Sequence, residues 1–370
     1  MHDVIVIGAG IVGLAHALAA ARRGKRVLVI DRDAQANGAS IRNFGFVTVT
    51  GQERGQVWDR ARRSAAIWRD IAGPAGIPIE QEGLLLVAQR PEAETVVDAF
   101  LATEMGEACQ RLTGAEAQSL CPALTSAAAA LFSPHDLRVE SRTAIPRLAQ
   151  WLESAHDITF LRGVAALHAE EGVVHCTDGA HRADTILLCP GDDWASLHPE
   201  IYAEVGITRC KLQMLRLAAP GWTLPAPVMS DLSLIRYLGY AALPEAVALR
   251  TRLEQEEARA LDYGIHLIAV QSADGSLVVG DSHDYAPTPD PFSIEAWDAE
   301  IVRQYEAVLG PAPRIVERWT GTYASAAGHS IVRTPVEGVT LVVVTSGTGA
   351  STAFALAEDV IGAIFDSQGK

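Results

Sequence analysis

Over the first 31 residues the apolar pattern changes rhythm twice. Val4 to Ile7 are consecutive apolar residues, the pattern of a parallel strand buried on both faces. Ala and Leu from 14 to 21 suit a crossover helix that Gly24 stops, and "KRVLVID" returns to a strand. A βαβ unit is predicted. After "GASIRNFG" and the apolar "FVTVTG", residues 53–72 read as an amphipathic helix. Trp58, Ala61, Ala65, Trp68 and Ala72 fall at three-to-four spacing, with Arg60, Arg62, Arg63, Arg69 and Asp70 between them, and "GPAGIP" ends it.

Farther on, "EGLLLVAQR" and "AAALFSP" are predicted strands on either side of a helix at 91–105. A helix at 143–156 precedes "ITFLRGVAALH", and "GVVHCTDGAHRADTILLCPG" reads as a hairpin leading into a buried strand. A long excursion over 210–323 holds the strand-like "KLQMLRL", "HLIAVQS" and "ERWTGTY" and a helix at 293–309. The chain closes with the strand "VTLVVVT", the turn "SGTGAS" and a helix at 352–365.

This order predicts an α/β protein in two parts. One is a discontinuous Rossmann-like domain on a parallel sheet, from residues 1–50, 141–210 and 325–370. The other, from 51–140 and 211–324, is an α+β substrate domain with a mixed or antiparallel sheet.

Composition narrows the partners. With 49% apolar and 20% charged residues in 370, the chain is an ordinary globular protein large enough for two domains. A formal charge of -15 repels nucleic acid and acidic membrane surfaces, and obliges any small anionic substrate to find locally placed arginines. Five cysteines without a CxxC pair predict reduced thiols, neither a disulfide framework nor a zinc site. No histidine has metal-ligand spacing; His135 and His329 are isolated, and His283 follows a strand. The N-terminus lacks the basic region of a signal peptide, and no long uninterrupted apolar run suggests a membrane span, so a cytoplasmic protein is expected. No feature of the pattern sets an oligomeric state.

Gly8, Gly10 and Gly13 form GxGxxG between a predicted strand and helix, with Ile11 and Val12 opening that helix. The first glycine permits the turn, the second lets backbone approach a pyrophosphate, and the third packs helix on strand. Asp31, followed by Arg32, ends the next strand, where a carboxylate accepts hydrogen bonds from ribose hydroxyls. Dinucleotide binding follows.

Together "DVIVIGAGIVGLAHALAAARRGKRVLVID", "GASIRNFG", "ILLCPGDDWASL" and "VTLVVVTSGTGASTAFALAEDVIG" resemble, in order and spacing, the D-amino-acid oxidase superfamily, in the branch of glycine and sarcosine oxidases. The resemblance implies FAD and oxidation of a carbon–nitrogen or related bond. By that likeness Asp31 takes the ribose, while Ser40, Arg42, Asn43, Phe44 and Gly45 pass the pyrophosphate and reach the flavin ring. Val164 meets adenine through its backbone, and Cys189, Gly191 and Trp194 lie in the segment resembling "AAGAW". Gly347, Thr348, Gly349, Ala350, Ser351 and Thr352 form the turn at the flavin's pyrimidine edge, where a helix N-terminus favours negative charge. Arg42 stands where some relatives carry a histidine bonded covalently to flavin, so non-covalent FAD is implied.

"WTGTYAS" departs from the "GLRP" common among amino-acid-oxidising relatives: Tyr323 replaces the arginine that clamps a carboxylate. Arg42 and Arg236 are candidates for a relocated clamp, with the hydroxyls of Tyr237, Tyr240 or Tyr323 as further donors to the anion and His283 as a candidate at a strand end. "IRNFGFV" and "IRYLGY" resemble a subgroup associated with phosphonate breakdown, which implies 2-aminoethylphosphonate or N-methylated relatives as substrates. The implied reaction passes hydride from the carbon beside nitrogen to flavin N5, oxygen or another acceptor then taking the electrons. Deprotonating the ammonium costs roughly 4 kcal/mol at pH 7, and burial beside an arginine recovers part of it, so no dedicated base is required. The alternatives are a glycine, sarcosine or D-amino-acid oxidase with a moved clamp, and a flavoprotein that binds FAD without catalysis.

Overall fold

The computed structural model describes residues 2–367. Strands Val339–Ser346, Thr185–Leu188, Val4–Ile7, Val27–Asp31 and Thr159–Arg162 lie side by side in that order, all parallel. Both faces of the inner strands are covered, which is why Val4–Ile7 and residues 27–30 are apolar and buried at every position. Val4, Val6, Val27 and Val29 turn toward helices Ile11–Arg22, Gln56–Ala72, Ser141–Ala155 and Gly349–Ser367. Ile5, Ile7, Leu28 and Ile30 turn the other way, toward a small antiparallel sheet of Ala166–Glu170, Val173–Cys176 and Gly179–Arg182.

One 22-residue strand, Ile315–Val336, joins the two parts of the molecule. Its later half pairs antiparallel with Val339–Ser346 and its first half with Thr208–Leu217. The sheet then continues through Leu277–Gly280, Ile268–Gln271, Val228–Ser230, Ile79–Ala88, Ala129–Val139 and Phe46–Val47. Pairing is antiparallel except between Val228–Ser230 and Ile79–Ala88. The α/β class follows, with one continuous sheet where two separate ones were expected.

Several elements differ from expectation. The helix assigned to 53–72 spans Gln56–Ala72 and packs on the nucleotide-side helix Gly349–Ser367, while it also touches strand Ala129–Val139 of the antiparallel part, where Arg69 donates to the His135 carbonyl at 3.0 Å. Trp68 lies edge-on to Phe354 at 5.1 Å, and its indole N–H donates to the Ala350 carbonyl at 2.8 Å. Arg60 and Arg63 pair with Asp359 and Glu358, so the helix's polar face is ion-paired as well as solvated. Phe46–Val47, inside the first predicted boundary, pairs with Ala129–Val139. The helix from Pro91 ends at Leu101, and Thr103 caps a separate 3-10 turn by accepting the Met105 N–H. Helices Gly114–Leu120 and Ala246–Glu256 were not foreseen. Among the described residues all five cysteines are free, and no helix is long and apolar enough to cross a membrane.

Candidate active site

A cavity of about 840 Å³ lies between the C-terminal ends of the parallel strands and the antiparallel part of the sheet. Its nucleotide-side wall starts at the glycine turn. Gly8, at φ +101°, donates its N–H to the Ile30 carbonyl at 2.8 Å, and a Cβ on Gly13 would fall 1.8 Å from the Gly8 carbonyl oxygen. Only glycine lets helix Ile11–Arg22 approach so closely. That helix has neither a side-chain cap nor an acidic first-turn residue, so its electropositive end faces the cavity at Gly10, Ile11 and Val12. The Ile11 N–H donates to Ser40 Oγ at 2.9 Å, fastening the loop of residues 38–45 over the turn. Asp31 accepts from the Ala9 N–H at 2.5 Å and the Asp33 N–H at 2.8 Å, holding its carboxylate at the cavity wall.

The remaining nucleotide-side segments converge on the same space. Arg32 pairs with Asp193 at 2.7 Å, tying the Asp31 strand to the segment carrying Cys189 and Gly191. The Val164 N–H donates to the Asp31 carbonyl at 3.0 Å. Asn43 braces its own loop, donating to the Ala39 carbonyl and accepting from the Gly45 N–H, both at 2.7 Å. Gly347, Thr348, Gly349, Ala350 and Ser351 line the far end at the start of the last helix, which begins at Gly349, three residues earlier than predicted.

Four nominated residues stand behind this wall. Gly13 and Gly45 serve backbone packing, and Trp194 stacks on the Arg209 guanidinium at 3.8 Å. The Thr352 hydroxyl donates to the Thr348 carbonyl at 2.9 Å, within its own helix.

The facing wall gathers ionisable side chains. Arg236 follows the short 3-10 helix Asp231–Ile235, and its Nη2 donates to the Tyr285 hydroxyl at 3.2 Å. Tyr237 and Tyr323 line the same cavity. A Cβ on Gly347 would lie 3.0 Å from Tyr323 Cζ, so this phenol ring joins the two walls. Arg42 also faces the cavity, though its Nη2 donates to Asn37 Oδ1 at 3.2 Å. Tyr240 must be removed from the candidates: its ring is fully buried against Phe100, away from the cavity, because helix Leu238–Ala241 turns it into the core.

His283 is in the cavity wall with two residues the sequence reading missed, His266 and Asp281. His266 Nε2 lies 3.5 Å from Asp281 Oδ1, and His283 Nε2 lies 3.7 Å from Oδ2. Burial pushes the Asp281 carboxyl up to about 7 against the opposing pull of Arg236. Burial, reinforced by Arg236, holds both imidazoles well below the usual histidine range, so they are neutral at pH 7. Asp281 sits two residues before His283 in "GDSH", a spacing visible in the sequence. His266 arrives only because Ile268 pairs with Gly280 across two strands, which no local pattern encodes. At another edge His329 pairs with Glu53, both lining the cavity. His135 lies elsewhere, its ring nitrogen bonded to the Glu107 carbonyl at 2.6 Å.

Comparison with known proteins agrees with this geometry. The family model described as "DAO: FAD dependent oxidoreductase" matches residues 3–362, and the chain belongs to that family. The fold is shared with glycine oxidase from Geobacillus kaustophilus, at 17% identity and TM-score 0.76, over 98% of this chain and 94% of that one. Iminodiacetate oxidase from Chelativorans sp. BNC1 aligns at 20% identity and TM-score 0.73, over 98% and 95%. L-alpha-glycerophosphate oxidase from Mycoplasma pneumoniae, with FAD bound, aligns at 13% and 0.75, over 98% and 94%. A search of curated proteins by sequence finds no match.

The protein is thus an FAD-dependent oxidoreductase, and the cavity fits its cofactor. It is long enough to run from Asp31 and Val164 past the helix N-terminus at Gly10 to the second helix N-terminus at Gly349. That order matches the requirements of ribose, pyrophosphate and an electron-rich ring edge.

Proposed function

We propose that the protein oxidises the carbon–nitrogen bond of a small amine that carries an anionic group, with 2-aminoethylphosphonate or an N-methyl relative as the first choice. The observation that supports this reading is Arg236, a largely buried guanidinium in the cavity wall opposite the glycine turn, with the Tyr285 hydroxyl at 3.2 Å and Tyr323 beside it. A guanidinium and phenol hydroxyls supply several donors, which suits the three oxygens of a phosphonate. Phe44, Phe46, Leu212 and Ile268 line the same space, and this apolar surround strengthens the pairing of Arg236 with an anion.

Within this reading Gly8, Gly10, Asp31, Ser40 and residues 347–351 hold FAD, and Arg42 offers no nucleophile for covalent attachment. When bound, FAD accepts the hydrogen and two electrons of the C–H bond beside nitrogen. The protein's own part is to anchor the substrate by its anion, exclude water and receive the amine in reactive form.

A single guanidinium also suits a carboxylate. Glycine, sarcosine and D-amino acids therefore form the second reading, and glycine oxidase and iminodiacetate oxidase are neighbours whose names fit it. Anaerobic mixing with a panel of aminophosphonates, N-methyl aminophosphonates, glycine, sarcosine and D-amino acids tests both. Bleaching of the yellow protein by an aminophosphonate is expected. Bleaching by amino acids alone transfers the assignment to the second reading, and no bleaching refutes both.

A further inference from the structure

We propose that Asp281 takes the proton from the substrate's ammonium group, with His266 and His283 acting as positioning residues for its carboxylate. This inference rests on the amine-oxidation reading above and assigns a base where the sequence had required none.

Asp281 is 4% exposed yet lines the cavity, and its Oδ1 has no hydrogen-bond partner among the described residues. A buried carboxylate oxygen without a donor is costly, so a ligand bearing N–H groups would complete it. The two imidazoles do not fill that role, since their Nε2 atoms stop at 3.5 and 3.7 Å, beyond good hydrogen-bond range. Their Nδ1 atoms are engaged elsewhere. His266 Nδ1 meets Ser233 Oγ at 3.1 Å, and His283 Nδ1 meets the Gly264 carbonyl at 2.9 Å, which fixes both rings against the carboxylate. Three such residues also have the composition of a divalent-metal site. The Arg236 guanidinium, whose charge is felt by all three, favours a singly charged ammonium over an ion of charge two.

The transfer is a simple exchange. A substrate N–H bond breaks, an O–H bond forms on Asp281, and nitrogen keeps the electron pair that a carbon–nitrogen double bond needs. The guanidinium helps, because it disfavours the ammonium that it lies beside.

The groups facing Asp281 are Arg236, Tyr237, Cys210, His266 and His283. Burial pushes the Cys210 thiol up to about 11 and raises the Tyr237 phenol, while the imidazoles are held neutral. Near neutrality the changing charge in this cluster is therefore that of Asp281. Its raised carboxyl is protonated, and so unable to accept, below about 7.

The test follows flavin reduction anaerobically from pH 5.5 to 10 with whichever amine bleaches the protein, in wild type, Asp281→Asn and Asp281→Glu. Wild type should gain rate about tenfold per pH unit up to roughly neutrality and then level. Asp281→Asn should lose about 100-fold or more at pH 7 and recover as pH approaches roughly 10, where the amine is already neutral. Asp281→Glu should restore part of the plateau. Competition by the substrate's desamino analogue, ethylphosphonate for 2-aminoethylphosphonate or acetate for glycine, should be unchanged in Asp281→Asn. A merely structural residue would weaken amine and desamino binding alike, and that result overturns the inference. So does a wild-type profile without a limb near neutrality, even if Asp281→Asn does not fold. Zinc retained in stoichiometric amount by wild type and lost from His266→Gln would also overturn it. Failure of every amine to bleach wild type removes the functional reading and this inference together, whereas bleaching with an unaltered Asp281→Asn profile removes the inference alone.

Discussion

On the proposed function the two walls of the cavity recognise their ligands by different means. The nucleotide-side wall works largely through backbone: a glycine turn, two helix N-termini and a carboxylate held by N–H groups. The facing wall offers side chains, the buried Asp281 with Arg236 and the tyrosines, set on strand ends and a short 3-10 turn. Backbone recognition leaves little room for variation, because the chain must pass within contact distance of the cofactor. Side-chain recognition can be rebuilt residue by residue on the same sheet. A fold shared at 13–20% identity with enzymes of different names is compatible with that division.

The largest expected effect lies on the backbone side. Gly13→Ala places a methyl group where the Gly8 carbonyl already is, at 1.8 Å, and neither helix nor turn can move without disturbing the strand beneath. A loss of about 4 kcal/mol or more is expected. The flavin-to-protein absorbance ratio and the melting temperature report it together. A yellow variant melting like wild type would mean that the backbone wall is more pliable than its geometry implies.

Next comes the split between the walls. Arg236→Met should weaken substrate binding about 10- to 100-fold, the usual cost of losing a hydrogen-bonded charge, while leaving flavin content unchanged. Arg42→Ala, whose guanidinium already donates to Asn37, should cost only a few-fold, less than the side-chain loss at Arg236. Substrate titrations of the two variants, with flavin release measured alongside, check the order. Equal losses, or FAD lost with Arg236→Met, would dissolve the distinction between a cofactor wall and a substrate wall.

That distinction also explains what the sequence made legible. The βαβ opening, GxGxxG, Asp31 and the closing "SGTGAS" are local patterns whose chemistry is written in consecutive residues, and they led to the fold class and the cofactor. Arg236, Tyr237 and His283, nominated from the sequence, line the cavity, but Tyr240 was misplaced because a four-residue helix decides whether its ring faces core or cavity. His266 and Asp281 meet through the register of two antiparallel strands, information that resides in pairing and not in spacing. Helix Gln56–Ala72 shows the same limit: its amphipathic stripe announced a helix but not which partner would cover it.

The smallest effect tests that correction directly. The Tyr240 hydroxyl is buried without a partner among the described residues, and its ring packs at 4.6 Å from Phe100 and against Gly51. Tyr240→Phe keeps the ring and removes a polar atom that gains nothing from its surroundings. Stability should stay level or rise by up to about 1 kcal/mol, and substrate reduction kinetics should be unchanged. Tyr285→Phe removes a hydroxyl of the same kind that does have work, accepting from Arg236, and should weaken substrate binding a few-fold. If thermal melting and substrate titration instead show Tyr240→Phe to be the more damaging of the two, the boundary drawn here between core and cavity lies on the wrong side of helix Leu238–Ala241.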